Sequence, residues 1–447
     1  MNRRCVRSIG PFGGLMKGSV MILIIGAGLA GLTCAKELVE AGQQVLVLEA
    51  SNAVGGRVCT DITDDGYRLD HGFQVLFSAY PAVKRHLKLD NLKPRRFDPG
   101  AILVKDGKRY EIADPLREPA QLLNGLLNPL IPLSDKLRVL NLTRQILSLS
   151  IADIFSGKGQ PHGQEGTDES IEDYLHYLGF TENGFIDNFV RPFYGGILLD
   201  RSLASSMRMF QFTYKMLATG DTLIPAEGMQ RIPEQLAASL PASSIRLNTR
   251  VTQLLINDGK IRGVTLANGE TIEAGQVVIA TDSPTAAKLT NLPLPTTPMG
   301  SVNLYFAGDE RLYPERKILL NTAPDAFVNE AVLLTNNAPT YAPPHKHLLS
   351  VTIPGDPQGD DEQLAQRALN EIGQWFPDHD LRRWRLLKVY RIPFSQFAQP
   401  PGIYDGLPGN RTEVEGLYLA GEYTKSSSIQ GAMHSGEYAA KAIISNM

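Results

Sequence analysis

Hydrophobic positions fall into short unbroken runs near the two ends of the chain and into helical stripes in its middle. Residues 21–25, MILII, are apolar without interruption, as are Val45–Leu48, Val277–Ala280 and Leu417–Ala420. Unbroken apolar runs of strand length mark parallel strands buried on both faces. Between the first two runs, Leu32, Ala35, Leu38 and Val39 recur at helical spacing. The N-terminal part is therefore expected to fold as strand, turn, helix and strand, an α/β arrangement.

The middle has a different texture. From Ile245 to Val251 and onward, strand-like segments are separated by Asn257-Asp258-Gly259 and Asn268-Gly269, short hairpin signals that predict an antiparallel insertion between parallel strands. Residues 115–240 read as mainly helical. Leu122, Leu123, Leu126 and Leu127, then Leu137, Leu140, Ile146 and Leu149, form stripes that serve either as core or as a membrane-docking face. The segment Asn188–Gly196, NFVRPFYGG, is aromatic and glycine-rich and suits a pocket wall. Residues 301–306, SVNLYF, and 387–392, LKVYRI, read as strands of a sheet that floors a substrate cavity.

Basic residues Arg3, Arg4, Arg7 and Lys17 ahead of an apolar run superficially copy a signal peptide. The glycines that follow and the helical pattern beyond them fit a buried strand and helix instead. Residues 1–19 are expected to be a flexible extension, with Met16 or Met21 a candidate start. No stretch reaches the ~18 uninterrupted apolar residues of a membrane span, so any membrane contact would be peripheral.

At 447 residues the chain is long enough for two or three domains. A formal charge of -3 leaves no basic field for nucleic acid. Cys5, Cys34 and Cys59 all lie early, which argues against a disulfide framework and for a reducing, cytoplasmic compartment. The histidines lack zinc-type spacing, His345 and His347 read as solvated, and no metal site is expected.

The chemistry concentrates at the glycines. In Gly26-Ala27-Gly28-Leu29-Ala30-Gly31, Gly26 permits a tight turn, Gly28 lets backbone approach a pyrophosphate, and Gly31 lets helix and strand pack closely. The helix N-terminus then offers unpaired N–H groups and a positive dipole end to phosphate. Glu49, at the tip of the second strand, suits ribose hydroxyls and would repel a 2′-phosphate, leaving NAD and FAD. Gly55-Gly56-Arg57 supplies a second backbone approach and a fixed cation. Gly421-Glu422 follows the last strand, and Gln430-Gly431-Ala432 opens a helix whose N–H groups could stabilise charge on a reduced flavin. Nucleotide-type elements at both ends of one chain point to one long ligand.

GxGxxG with Glu49, then GGR at 55–57, then AGEYTKSSSIQGAMHSGEYAAKAI near the C-terminus together resemble the amine-oxidase superfamily of FAD enzymes. That superfamily includes flavin monoamine oxidases, protoporphyrinogen oxidases and plant-type phytoene desaturases, and the C-terminal motif is most similar to the desaturases. The resemblance implies a discontinuous Rossmann-like FAD-binding domain from residues 20–95, 244–293 and 410–447, with a mixed α+β substrate domain from 96–243 and 294–409. It also implies backbone of Val251 against the adenine, and likens Pro225–Met229 to the loop preceding the return to the FAD domain. Gly26, Ala27, Gly28, Gly31, Glu49, Gly55, Gly56, Arg57, Val251, Gly421, Glu422, Gly431 and Ala432 are its expected cofactor residues.

The departures matter as much. Many amine oxidases of the superfamily keep a lysine where Leu304 falls here, and the monoamine oxidases place an aromatic residue where Ser428 stands. No cysteine follows Cys59, so FAD should be noncovalent. The flavin itself accepts a hydride, so no protein nucleophile is required and no catalytic side chain is singled out. The expected function is an FAD-dependent dehydrogenase or desaturase acting on a hydrophobic, isoprenoid or carotenoid-like substrate, with oxygen or a quinone as electron acceptor. Two alternatives stand beside it: an amine or amino-acid oxidase with Arg191 anchoring a carboxylate, and a flavin-binding isomerase or non-redox flavoprotein.

Overall fold

The four apolar runs become neighbours in one parallel sheet. Its order is Ile245–Arg246, Val45–Leu48, Ile22–Ile25, Gln276–Ile279 and Leu417–Leu419, so the first strand sits at the centre and the last at one edge. This is a computed structural model that describes residues 21–112, 128–158 and 167–447; the expected extension 1–19 and the leucines Leu122, Leu123, Leu126 and Leu127 lie outside those residues.

Helix Leu29–Glu40 follows the first strand, and helix Ile429–Ile444 packs against it. The two come close because Gly436 has no side chain: a Cβ there would stand 2.3 Å from the carbonyl oxygen of Ala30. The antiparallel insertion is a meander of Val251–Asn257, Lys260–Leu266 and Thr271–Glu273. Its first turn places Asp258 at φ 51° and Gly259 at φ 72°, the two positive values of a type I′ hairpin turn.

A second sheet of seven strands runs Arg385–Phe397, Pro298–Gly308, His347–Pro354, Glu330–Leu333, Ile318–Asn321, Ala101–Lys105 and Lys108–Ile112. SVNLYF and LKVYRI are thus adjacent strands. On one face Val302, Leu304 and Phe306 pack with Leu364, Ala368 and Ile372 of the helix Asp361–Trp375. Side chains alternate along a strand, so Ser301, Asn303 and Tyr305 take the other face. There a row of register partners, Glu330, Thr352, Asn303 and Tyr390, crosses four strands. The remaining helices, chiefly Leu133–Ser148, Arg191–Leu198 and Met207–Thr219, roof this polar-centred floor.

The leucine stripe of the helix Leu133–Ser148 divides. Leu142 and Ile146 are buried, whereas Leu133, Leu137, Leu140 and Leu147 are 62%, 57%, 49% and 40% exposed. Reading Leu137 and Leu140 as core is therefore corrected: the helix buries a narrow face and leaves a second apolar one uncovered. Among the described residues no helix is long and apolar enough to cross a membrane.

Candidate functional site

One continuous cavity of about 1610 Å³ runs from the glycine turns of the parallel sheet to the floor of the seven-stranded one. A pocket for one drug-sized ligand occupies roughly 300–1,000 Å³, so this cavity has room for an extended cofactor and a second molecule.

The glycine turn opens it. Gly26 has φ 107°, and a Cβ there would lie 2.7 Å from the oxygen of Ala280, so only glycine fits the turn. A Cβ on Gly31 would lie 2.0 Å from the oxygen of Gly26, which is why the helix can start so close to the strand. Gly28 is the N-cap of that helix and supplies no side-chain cap. The N-terminus faces the cavity along Gly28, Leu29 and Ala30. Uncapped N–H groups aimed into a cavity are the arrangement a pyrophosphate requires.

The second turn lies directly against the first. The N–H of Gly55 donates to the oxygen of Ala27 at 2.8 Å, and Gly55 and Gly56 have φ values of 123° and 59°. Glu49 is buried at the cavity wall, where its carboxylate accepts from the Ala27 N–H at 2.7 Å and from the Ser51 N–H and hydroxyl at 2.8 and 2.7 Å. The acid that suits a ribose thus also fixes the turn that suits the phosphates.

The C-terminal elements complete the wall. Glu422 accepts from Arg57 Nη1 at 2.6 Å and from the Ser427 hydroxyl at 2.9 Å, and Arg57 also donates to the oxygen of Ser395. Ser428 caps the final helix, its hydroxyl accepting from the Gly431 N–H at 2.9 Å, and Ala432 lines the cavity in the first turn. Val251 borders it from the antiparallel insertion. Of the expected cofactor residues, Ala27, Gly31 and Gly431 do not line the cavity; they permit close packing behind it, Gly431 against the oxygen of Ser426. The uncapped helix, the two glycine turns and the buried acid together fit an extended dinucleotide.

Beyond Arg57 the lining becomes aromatic and aliphatic, with Phe73, Phe185, Phe189, Phe193 and Tyr194 among its members. The rings of Phe185, Phe189 and Phe193 stack in succession at centroid distances of 5.4 and 5.1 Å. The expected pocket wall, Asn188–Gly196, supplies several of these groups.

Arg191 is a different matter. Its guanidinium binds Asp187 at 2.9 Å, Glu172 at 2.7 Å and the oxygen of Arg201 at 2.9 Å, and it does not line the cavity. Its role as a carboxylate anchor is therefore withdrawn: local acids already saturate it. Leu304, which stands where many amine oxidases keep a lysine, does not face the cavity. It lies fully buried on the opposite face, and Ser301 lines the cavity instead.

Two titratable groups on the lining carried no signal in the sequence. Glu330 is buried beside Arg201, Asn329 and Thr352, and burial, only partly offset by those neighbours, pushes it up to about 7. His71 packs against Tyr390, the two rings tilted by 34° with centroids 4.6 Å apart. Its Cys59 and Asp61 neighbours push it up to about 9 against the opposing effect of burial.

The chain is similar to known proteins. The family profile of flavin containing amine oxidoreductases matches residues 29–444. The 15-cis-phytoene desaturase of Solanum lycopersicum is 27% identical over 95% of this chain and 77% of its own. The zeta-carotene desaturase of Synechocystis is 26% identical over 95% of this chain and 97% of its own. Among solved structures, putrescine oxidase bound to putrescine matches with a TM-score of 0.71 at 19% identity, covering 96% of this chain and 99% of that one.

Proposed function

The chain belongs to the flavin-containing amine oxidoreductase family, and from that premise we propose that it desaturates a long, apolar, isoprenoid-like substrate in the aromatic arm of its cavity. It is an FAD-dependent oxidoreductase whose FAD is noncovalent. FAD, when bound, supplies the two-electron acceptor. The glycine turns, Glu49 and the closing helix hold it, and the wall beyond Arg57 orients the substrate and excludes water.

The observation that carries the reading is the lining of that arm. Stacked phenylalanines offer a long hydrocarbon extensive contact area, and neither Leu304 nor Arg191 supplies a polar anchor there. The likeness to phytoene and zeta-carotene desaturases supports a polyene-like substrate. Placement in a reducing, cytoplasmic compartment belongs to the same proposal, as does membrane contact through Leu133, Leu137, Leu140 and Leu147, the last two of which border the cavity.

A second reading, amine oxidation, is favoured by one feature: Glu330 is a buried acid on the lining and could pair with a substrate ammonium. Anaerobic mixing of the yellow protein with isoprenoid polyenes and with amines separates the two. Bleaching by a polyene alone is expected. Bleaching by an amine, with peroxide release in air and loss of both in Glu330→Gln, would transfer the assignment to the oxidase reading, and no bleaching by either would leave the isomerase alternative.

A further inference from the structure

The hairpin Thr60–Ile62 and Arg68–Asp70 gathers three metal-ligating side chains on one face. Thr60 pairs with Asp70, and the His71 N–H donates to the oxygen of Cys59 at 2.9 Å, so Cys59 stands opposite His71. Alternation along the strand puts Asp61 on the same face as Cys59. The Cys59 sulfur, an Asp61 carboxylate oxygen and a His71 ring nitrogen all lie within 4.8 Å of one another.

We propose that Cys59, Asp61 and His71 form a binding site for a divalent cation of zinc type. The His71 Nε2 is buried and lies 3.1 Å from Asp61 Oδ2, within reach of one ion shared with the Cys59 sulfur. Ligands about 2.0–2.1 Å from one ion, subtending roughly 100° at it, stand about 3.1–3.2 Å apart. Thiolate, imidazole and carboxylate are the donors zinc takes, and three protein ligands leave the fourth position for water.

The surroundings hold the ligands in place. Tyr390 donates its hydroxyl to Asp61 Oδ2 at 2.7 Å and packs its tilted ring against His71, the outer support that orients metal ligands. On the other face, Thr60 bonds Asp70, which also accepts from the Met229 N–H at 2.9 Å and the Tyr341 hydroxyl at 2.8 Å, pinning the hairpin to two further segments. Lys388 lies over the Tyr390 ring at 5.8 Å. His71 and Tyr390 both border the large cavity, so the ion would sit in its wall. The inference holds whatever the substrate.

The test is a titration of untagged, chelator-treated protein with Zn2+ in competition with a chromogenic chelator. Expected are one Zn2+ per chain at submicromolar affinity and at least ~100-fold weaker binding in Cys59→Ser and in His71→Asn, with unchanged circular dichroism. Binding well below one equivalent, or wild-type affinity in both variants, would overturn the proposal. Should the variants not fold, Co2+ difference spectra of the wild-type chain decide instead. A thiolate-to-cobalt charge-transfer band supports the site, and its absence rejects it.

Discussion

Arg57 and Glu422 stand 365 residues apart in sequence and 2.6 Å apart in space, joined by a charge-assisted hydrogen bond at the cavity wall. Glu422 is almost fully buried, whereas a third of the Arg57 side chain is exposed. The acid thus depends on the arginine more than the arginine depends on the acid. Arg57→Ala should lower FAD retention at least tenfold. It should also destabilise the protein by roughly 1–2 kcal/mol, the usual cost of a stranded buried charge reduced for the exposed partner. FAD per chain after gel filtration and the urea midpoint measure the two effects; unchanged FAD content would remove Arg57 from the cofactor site.

Glu49→Ala removes the acceptor of the Ala27 N–H and of Ser51 together. Both the turn and the affinity for FAD should suffer. Glu49→Gln keeps one acceptor oxygen and should fall between the two. Equal FAD dissociation constants for wild type and Glu49→Ala, measured by flavin fluorescence, would contradict this.

Gly436→Ala forces a methyl group toward the oxygen of Ala30, 2.3 Å from the Cβ position. The closing helix must shift, at about 1–3 kcal/mol for an overpacked contact. A lowered melting temperature that added FAD restores only in part is expected. A melting curve superimposable on wild type would show that the helices can separate at no cost.

Glu437 ties the closing helix to the helix Pro81–His86 through Arg85, bidentate at 2.7 Å, and His86 at 2.6 Å. Burial alone would raise this carboxyl, but hydrogen bonds from His86 and Arg85 outweigh it and hold it down to about 2. A carboxyl lowered on folding contributes stability that is complete above its unfolded value of 4.5 and lost as pH falls toward 2. Glu437→Gln should therefore cost about 1–2 kcal/mol at pH 7, allowing for the half-exposed Arg85, and nothing near pH 2. Urea titrations across that window check the sign; a deficit that persists at pH 2 would place the effect in packing instead.

Leu133 and Leu137 are exposed and do not line the cavity. The double variant Leu133→Glu, Leu137→Glu should keep its FAD and its fold yet fail to float with phospholipid vesicles that carry the wild type. Wild-type flotation by the variant would assign membrane contact, if any, elsewhere.

The glycine-turn end of the cavity was legible in the sequence because its determinants are local. Gly26 and Gly31 are needed by one turn, and the apolar run beside them marks the strand that delivers it. The substrate end was not. Whether the face of Leu304 or that of Ser301 meets the cavity depends on which side of the sheet the helix Asp361–Trp375 covers, a tertiary choice that the strand pattern leaves open. Of the groups that occupy Arg191, only Asp187 is a near neighbour in sequence; Glu172 comes from another helix and the oxygen of Arg201 from a later turn. Cys59, Asp61 and His71 have no recognisable spacing because hairpin register, not sequence interval, brings them together.

The order of the parallel sheet has a consequence for biosynthesis. Its central strand is made first and its edge strand nearly last, and the helix that covers Leu29–Glu40 is the final one. While the ribosome is still translating, the nascent chain carries an apolar helix face with nothing to cover it, and such non-local closure is slow. A polypeptide truncated ahead of Leu417 would therefore lack both the edge strand and the helix Ile429–Ile444, and should neither grip its pigment nor escape chaperones.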